Sequence, residues 1–245
     1  MNPTHLGLSY PVAVVGELIG EAGRAAILIA LLDGRARTAG ELALVANVSA
    51  SSASGHLSKL VDGGLLVVQS SGRHRYYSLA GAEVAQAIEA IGSIATRMAV
   101  AEARGGLARQ GDSLRRRENA EIYLARSCFD HLAGRVAVEL TIALEERNVI
   151  RAFGEREYAL GGDGLAWFEK LGVDVEVVRG LRRSFARRCL DWTERRPHLA
   201  GALGAALFSR MLELGWIARR QESRVVRITH VGEQEFWRRF GVKAG

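Results

Sequence analysis

The sequence predicts a mainly α protein with small β-wings (α+β). It would have an N-terminal winged helix-turn-helix and a C-terminal domain of two winged-helix-like repeats. Three observations predict it. Residues 38–79 run through a capped helix, a short break, a second capped helix and two β-prone runs around a glycine turn. Residues 81–104 carry apolar side chains at near-heptad spacing. HLAGRVAVELTIALEERNVI from His131 aligns with HLAGALGAALFSRMLELGWI from His198, an offset of 67 residues.

Taken in order, Met1 to Pro11 reads as an irregular lead-in. Val12 to Leu32 reads as one helix, with Leu18, Ala22, Ala25, Ile29 and Leu32 as its packing stripe. Arg24 lies within it, as a solvated side chain or a DNA contact. Thr38 and Glu41 have the spacing of a capping box, in which hydroxyl and carboxylate satisfy orphan N–H groups at a helix start. Leu42, Val45 and Ala46 follow on one face. Asn47 and Val48 break the helix, and Ser49 can cap the next.

That second helix places Ala53, Leu57, Leu60 and Val61 on one side. Ser51, Ser52, Ser54, Gly55, His56 and Lys59 lie around the rest. With Ser49, this outer face is small and hydroxylated, so it can enter a major groove, donate to phosphates and touch base edges. Gly63 and Gly64, which tolerate left-handed dihedrals, are expected to end the helix. Leu65–Gln69 and His74–Leu79 then read as strands joined through Ser70, Ser71 and Gly72. Arg73, His74 and Arg75 put donors at the wing, where a phosphate backbone would pass.

These residues resemble the ArsR-type winged-helix transcriptional regulators: GEL, then VSASSASGHLSKLVDGGLL, then GRHRYYSL, in order. IGEAGRAAILIALLDG upstream resembles the helix that precedes the motif in that family. The resemblance covers about the first hundred residues and implies double-stranded operator DNA as partner, repression as the sign of regulation, and a homodimer joined partly through the helix after the wing. It does not imply a metal cofactor here. The family's C-x-C positions are Thr38 and Gly40, and Gly81 to Arg104 holds neither His nor Asp for the family's zinc-type site. No cofactor and no metal are therefore expected.

Composition limits the other classes. At 48% apolar and 24% charged, the chain has the balance of a globular protein. No apolar run reaches the ~18 residues of a membrane span, and the first 20 residues lack the basic start of a signal peptide, so no membrane partner and a cytoplasmic location are expected. The net charge of +6 is not concentrated where DNA reading is expected. Residues 1–100 hold seven Lys/Arg against seven Asp/Glu, and the remainder holds 26 against 20.

The expected domains are therefore 1–104 with the dimerisation helix, a Gly- and Arg-containing linker at 105–117, and the repeat domain at 118–245 with units near 128–173 and 189–242. Each unit reads as helix, hairpin, then a short helix carrying Trp167 and Phe168 or Phe236 and Trp237. The extension resembles that of a long subgroup of ArsR-type regulators.

Cys128 and Cys189 sit in similar contexts, Cys-Phe-Asp-His and Cys-Leu-Asp-Trp, each ahead of its own HLAG segment. With His131 and His198 they are the sensor candidates. Sensing would proceed by disulfide formation, alkylation or soft-metal capture, with Arg126, Arg187 and Arg188 favouring the thiolate. The alternative is that the cysteines are small buried apolar residues and that the histidines cap helices or bond across the unit interface. Trp167, Trp192, Trp216 and Trp237 could instead line a pocket for a small organic effector. No nucleophile elbow, Walker loop or H-E-x-x-H is present, and Gly161-Gly162-Asp163-Gly164 lacks the strand–turn–helix context of a dinucleotide site, so no catalytic residues are expected. The competing class is a winged-helix scaffold that binds protein without reading DNA.

Overall fold

The computed structural model describes residues 12–105, 120–221 and 223–244. The expected lead-in at Met1–Pro11, and the expected linker apart from Gly105, lie outside the described residues. The chain divides into two compact units with the boundary between Val84 and Ala85.

The first unit begins with two helices where the sequence reading has one. Helix α1 (Val12–Ile19) stops, and α2 (Ala22–Ala30) starts afresh with Glu21 as its N-cap. The Glu21 carboxylate accepts from Gly23 and Arg24 N–H groups, both at 2.9 Å. The break resets the helical phase, so the expected stripe holds only in part: Leu32 is buried, Ala22 and Ile29 are exposed, and Ile27, Leu28 and Leu31 are buried instead. Arg24 is neither solvated nor presented outward. It is buried, and its guanidinium donates to the carbonyls of Leu18 (2.6 Å) and Glu17 (2.8 Å), capping the end of α1.

After a 3-10 turn (Leu31–Asp33) and the short β1 (Arg37–Thr38), α3 (Ala39–Ala46) opens with the Thr38–Glu41 capping box. Its buried pair is Leu42 and Ala43, and Val45 is exposed. Asn47 closes it in a left-handed conformation, φ 52°. Ser49 caps α4 (Ala50–Asp62), which buries Ala53, Leu57 and Leu60. Of the two glycines that follow, only Gly64 has positive φ, at 72°. Gly63 has φ −79°, and its requirement is spatial: a Cβ there would come within 2.3 Å of the Leu18 side chain.

Strands β2 (Leu66–Ser71) and β3 (His74–Leu79) pair antiparallel, with Ser71 opposite His74. The turn is therefore the two residues Gly72 and Arg73, not the serines, and Gly72 supplies its positive φ of 57°. β1 adds to the other edge of β3. Helix α5 (Ala82–Gly105) then crosses into the second unit.

The second unit is built from two copies of one six-element order. The first copy is β4 (Arg126–Cys128), β5 (His131–Ala133), α6 (Arg135–Glu146), β6 (Ile150–Phe153), β7 (Glu157–Leu160) and α7 (Gly164–Leu171). After the short α8 (Val175–Arg179) comes the second: β8 (Arg187–Leu190), β9 (Pro197–Ala200), α9 (Gly201–Glu213), β10 (Ile217–Arg219), β11 (Val226–Ile228) and α10 (His230–Phe240). Helix, hairpin and closing helix follow the sequence reading. The leading strand pair does not: the His-Leu-Ala segments, read as helix starts, are strands.

The copies exchange their hairpins. β8–β9 joins the first copy's second hairpin in a sheet ordered β6-β7-β8-β9. Tyr158 N–H donates to the Ala186 carbonyl and Arg188 N–H to that of Arg156, both at 2.9 Å. The same pattern recurs between β4 and β11, where Val226 N–H donates to Ala125 (3.0 Å) and Ser127 N–H to Arg224 (2.8 Å). Helix α6 packs on β9 and α9 on β5. One apolar core runs through both copies, including Val136, Leu144, Phe168, Leu203, Phe208 and Phe236.

Candidate functional site

Two groups of residues carry chemistry. The first lies on the winged unit. Ser49, Ser51, Ser52, Ser54 and Lys59 are exposed on α4, and Arg73, His74 and Arg75 are exposed around the wing. The Ser49 hydroxyl accepts from Ser52 N–H at 3.2 Å and lies 2.9 Å from the Ser51 and Ser52 hydroxyls. Arg75 rests 5.8 Å from the Tyr77 ring, which restrains its guanidinium on the wing. His56 stands apart from this set. It is turned inward over Gly23, with Nδ1 3.4 Å from the Glu21 carboxylate and its side chain 19% exposed. A helical-wheel reading put it on the outer face; the absence of a side chain at Gly23 is what admits it inside.

The second group is Cys128, His131, Cys189 and His198. Their ligand-type atoms all lie within 4.8 Å of one another, and all four residues are buried. Cys128 ends β4 and Cys189 lies in β8; His131 opens β5 and His198 lies in β9. Each repeat thus contributes one sulfur and one imidazole, and the two rings face each other with centroids 5.1 Å apart. Neither histidine caps a helix. Small residues close the surroundings, since Ala133 and Ala200 pack with the two cysteines.

Each histidine is backed by an aspartate from the Cys-x-Asp segment of its own repeat. Asp130 Oδ1 is 3.2 Å from His131 Nδ1, and Asp191 Oδ2 is 3.6 Å from His198 Nδ1. Nε2 of both rings, and Nδ1 of His198 as well, are buried without a hydrogen-bond partner among the described residues. Asp191 is itself fixed by Arg126 (2.9 Å), Gly134 N–H (2.7 Å) and the Thr193 hydroxyl (2.6 Å). Asp130 is held by Arg183.

The two thiols are coupled to each other. The hydrogen bond to Cys189, together with burial, holds Cys128 protonated and raises its pKa. The same bond from Cys128, followed by His131 and His198 and against the effect of burial, holds Cys189 well below the usual thiol range. Burial opposes charge on His131, but Asp130 and the Cys189 sulfur outweigh it and raise its pKa to about 9. The neighbouring arginines, which the sequence reading made responsible for a thiolate, have a smaller part. Arg126 is engaged by Asp191 and by the Trp192 ring, 4.7 Å away, and Arg188 lies against Tyr158.

The tryptophans do not meet. Trp192 pairs with Tyr123, Trp167 with Phe168 and Phe240, and Trp216 with Phe236, while Trp237 is 57% exposed. A groove of about 550 Å³ between Glu121, Arg220, Val225 and Glu233 is lined by none of them. No helix among the described residues is long and apolar enough to cross a membrane.

A capped helix-turn-helix with an arginine-bearing wing defines a DNA-binding regulator of the winged-helix class, and comparison with known proteins agrees. Residues 22–69 match the helix-turn-helix domain family model. The uncharacterized HTH-type transcriptional regulator YdfF of Bacillus subtilis (strain 168) is 40% identical over 243 residues, covering 99% of this chain and 100% of that one. The chain therefore belongs to the HTH-type transcriptional regulators, with the ArsR-type winged unit that its motifs resemble. Solved structures match over about a third of its length. The winged helix-turn-helix domain of Mb0332 from Mycobacterium bovis, described as a possible ArsR-family regulator, is 30% identical (36% of this chain, 80% of that chain, TM-score 0.33). HlyU from Vibrio cholerae N16961 is 30% identical (33% and 83%, TM-score 0.31), and NolR from Sinorhizobium fredii 28% (34% and 82%, TM-score 0.32).

Proposed function

We propose that this regulator is a homodimeric repressor that reads operator DNA with α4 in the major groove. Arg73, His74 and Arg75 hold the flanking backbone. The observation that carries the reading is the exposed Ser49–Ser51–Ser52–Ser54 face of α4, on the same unit as an exposed basic wing. Two half-sites require two reading helices, so a dimer follows from the recognition mode. The apolar side chains of Ile91 and Ile94, half-exposed on α5, supply material for its interface.

In this reading the signal enters at the C-terminal domain through the thiol pair, by oxidation or by a thiol-reactive ligand. Helix α5 is tied to that domain beside the cysteines: Glu89 pairs with Arg224, which also donates to the Ser127 carbonyl at 3.0 Å, next to Cys128. The test is fluorescence-anisotropy titration of the full chain against a labelled duplex from upstream of its own gene, at several salt concentrations. Specific, steeply salt-dependent binding supports the reading. If this duplex fails and random-site selection also returns no preferred sequence, the operator reading is wrong and the protein-binding scaffold takes its place.

A further inference from the structure

We infer that Cys128, His131, Cys189 and His198 form a tetrahedral site for a zinc-class divalent cation, located where the two repeats meet. The inference goes beyond the operator reading and holds with or without it.

The donor set comes first. Two thiols and two imidazoles are the combination that selects zinc among common divalent ions, because a d¹⁰ ion accepts tetrahedral S₂N₂ coordination without a ligand-field penalty. Zinc–sulfur and zinc–nitrogen bonds of roughly 2.3 and 2.0 Å set tetrahedral ligand–ligand edges of about 3.3–3.8 Å. The four ligand atoms here are already gathered within 4.8 Å, so closure needs a contraction of at most about 1–1.5 Å.

The imidazoles are prepared for it. A metal-bound histidine characteristically engages a carboxylate or carbonyl through its other nitrogen, which fixes ring orientation. Asp130 hydrogen-bonds Nδ1 of His131 and Asp191 lies 3.6 Å from Nδ1 of His198, while Nε2 of His131 and both ring nitrogens of His198 are buried without a hydrogen-bond partner among the described residues. A buried polar atom without a well-formed hydrogen bond is costly, and coordination through one nitrogen of each ring, shared with the Cys189 sulfur beside them, would relieve it.

Charge also balances. On binding, the cation displaces to solvent whatever protons the sulfurs and ligating imidazole nitrogens still carry, and two thiolates neutralise its double positive charge. The backing carboxylates are each compensated by an arginine, Asp130 by Arg183 and Asp191 by Arg126. A neutral complex suits a site whose residues are at most 7% exposed. With all four positions supplied by protein and no opening for substrate, the site is of the structural kind, in which the metal contributes to folding. Because each repeat gives one sulfur and one nitrogen, occupancy clamps the β4–β5 hairpin to the β8–β9 hairpin.

The experiment uses the purified full chain, stripped of metal under reducing conditions and titrated with Co²⁺. We expect one equivalent per chain to give the intense visible absorption of tetrahedral cobalt with sulfur-to-cobalt charge-transfer bands. Zn²⁺ should displace it. The melting temperature of the C-terminal transition should rise by more than about 5 °C when metal is restored. Cys128→Ser and Cys189→Ser should each abolish the charge-transfer bands or shift them. His198→Gln, which keeps both sulfurs, should alter the band energies even if a cysteine variant fails to fold. Weak six-coordinate absorption, absence of binding to the reduced wild-type chain, or binding unchanged in the folded variants overturns the inference. So does quantitative recovery of a Cys128–Cys189 disulfide from a chain that takes up no metal after reduction.

Discussion

Arg126 of the first repeat and Asp191 of the second form an ion pair of 2.9 Å in which both side chains are at most 1% exposed. Removing one partner of a buried pair leaves an uncompensated charge, at a cost of roughly 3–5 kcal/mol. Asp191→Ala should therefore destabilise the C-terminal domain by about that amount in urea unfolding. It should do so more than Glu213→Ala, which breaks the exposed pair with Arg210 and costs about 0–1 kcal/mol. Equal effects would show that the Arg126–Asp191 pair is not desolvated in solution.

Gly134 and Gly201 occupy corresponding positions, with φ of 90° and 78°. A Cβ on Gly134 would lie 2.8 and 2.9 Å from the Tyr123 and Leu124 carbonyl oxygens; one on Gly201 would lie 2.8 and 3.1 Å from those of Ser184 and Phe185. Alanine at either position combines left-handed strain with a backbone collision and is expected to cost at least about 2–3 kcal/mol. Gly215→Ala, at φ 66° with nothing near its Cβ, should cost only about 1–2 kcal/mol. Thermal melts of the three variants measure the difference.

On the DNA side, Ser52→Ala should lower affinity for the preferred duplex more than for random duplex, by up to about 1 kcal/mol for a single neutral hydrogen bond. Arg75→Ala should weaken both alike and reduce the salt slope by about one. His56→Ala should act mainly on the stability of the first unit, because the ring is engaged with Glu21. Anisotropy titrations together with melting curves separate these three behaviours.

Arg24→Met removes the two hydrogen bonds that fasten α1 to α2. Bonds to a charged donor are worth roughly 1.5–3 kcal/mol each, and α1 itself buries no residue. Hydrogen exchange should show protection of α1 falling to that of a frayed segment, with α4 unaffected.

Glu89→Gln weakens the link from α5 through Arg224 to the Ser127 carbonyl. If the thiol pair controls DNA affinity along this route, the variant should bind operator normally. It should lose most of its response to oxidant or thiol-reactive ligand, a coupling typically of ~1–3 kcal/mol. A full response would place the coupling elsewhere.

Local signals in the sequence carried much of the fold. The Thr38–Glu41 box, the Ser49 cap and the Gly72 turn each act within four residues, so their chemistry is visible in the string. What escaped depends on distance. Apolar periodicity could not show that Glu21 restarts the helix, because a cap on a following helix looks like one more polar residue on a continuing one. His56 lies on the outer side of its own helical wheel, and the room that turns it inward belongs to Gly23 on a different helix. The four-residue centre was hidden by two different offsets. The histidines repeat after 67 residues and the Cys-x-Asp segments after 61, because six additional residues separate Asp191 from His198. An alignment anchored on either motif displaces the other. The shared Cys-x-Asp, followed by a histidine in both copies, was the available signal.

The exchange of hairpins decides how the C-terminal domain can fail. Each repeat lends its first hairpin to the other's sheet, so neither closes its own fold. This is the architecture of a swapped homodimer joined into a single polypeptide. The domain is therefore indivisible: a break in the connection around 172–186 should leave two fragments that remain associated, whereas deletion of either should unfold the other.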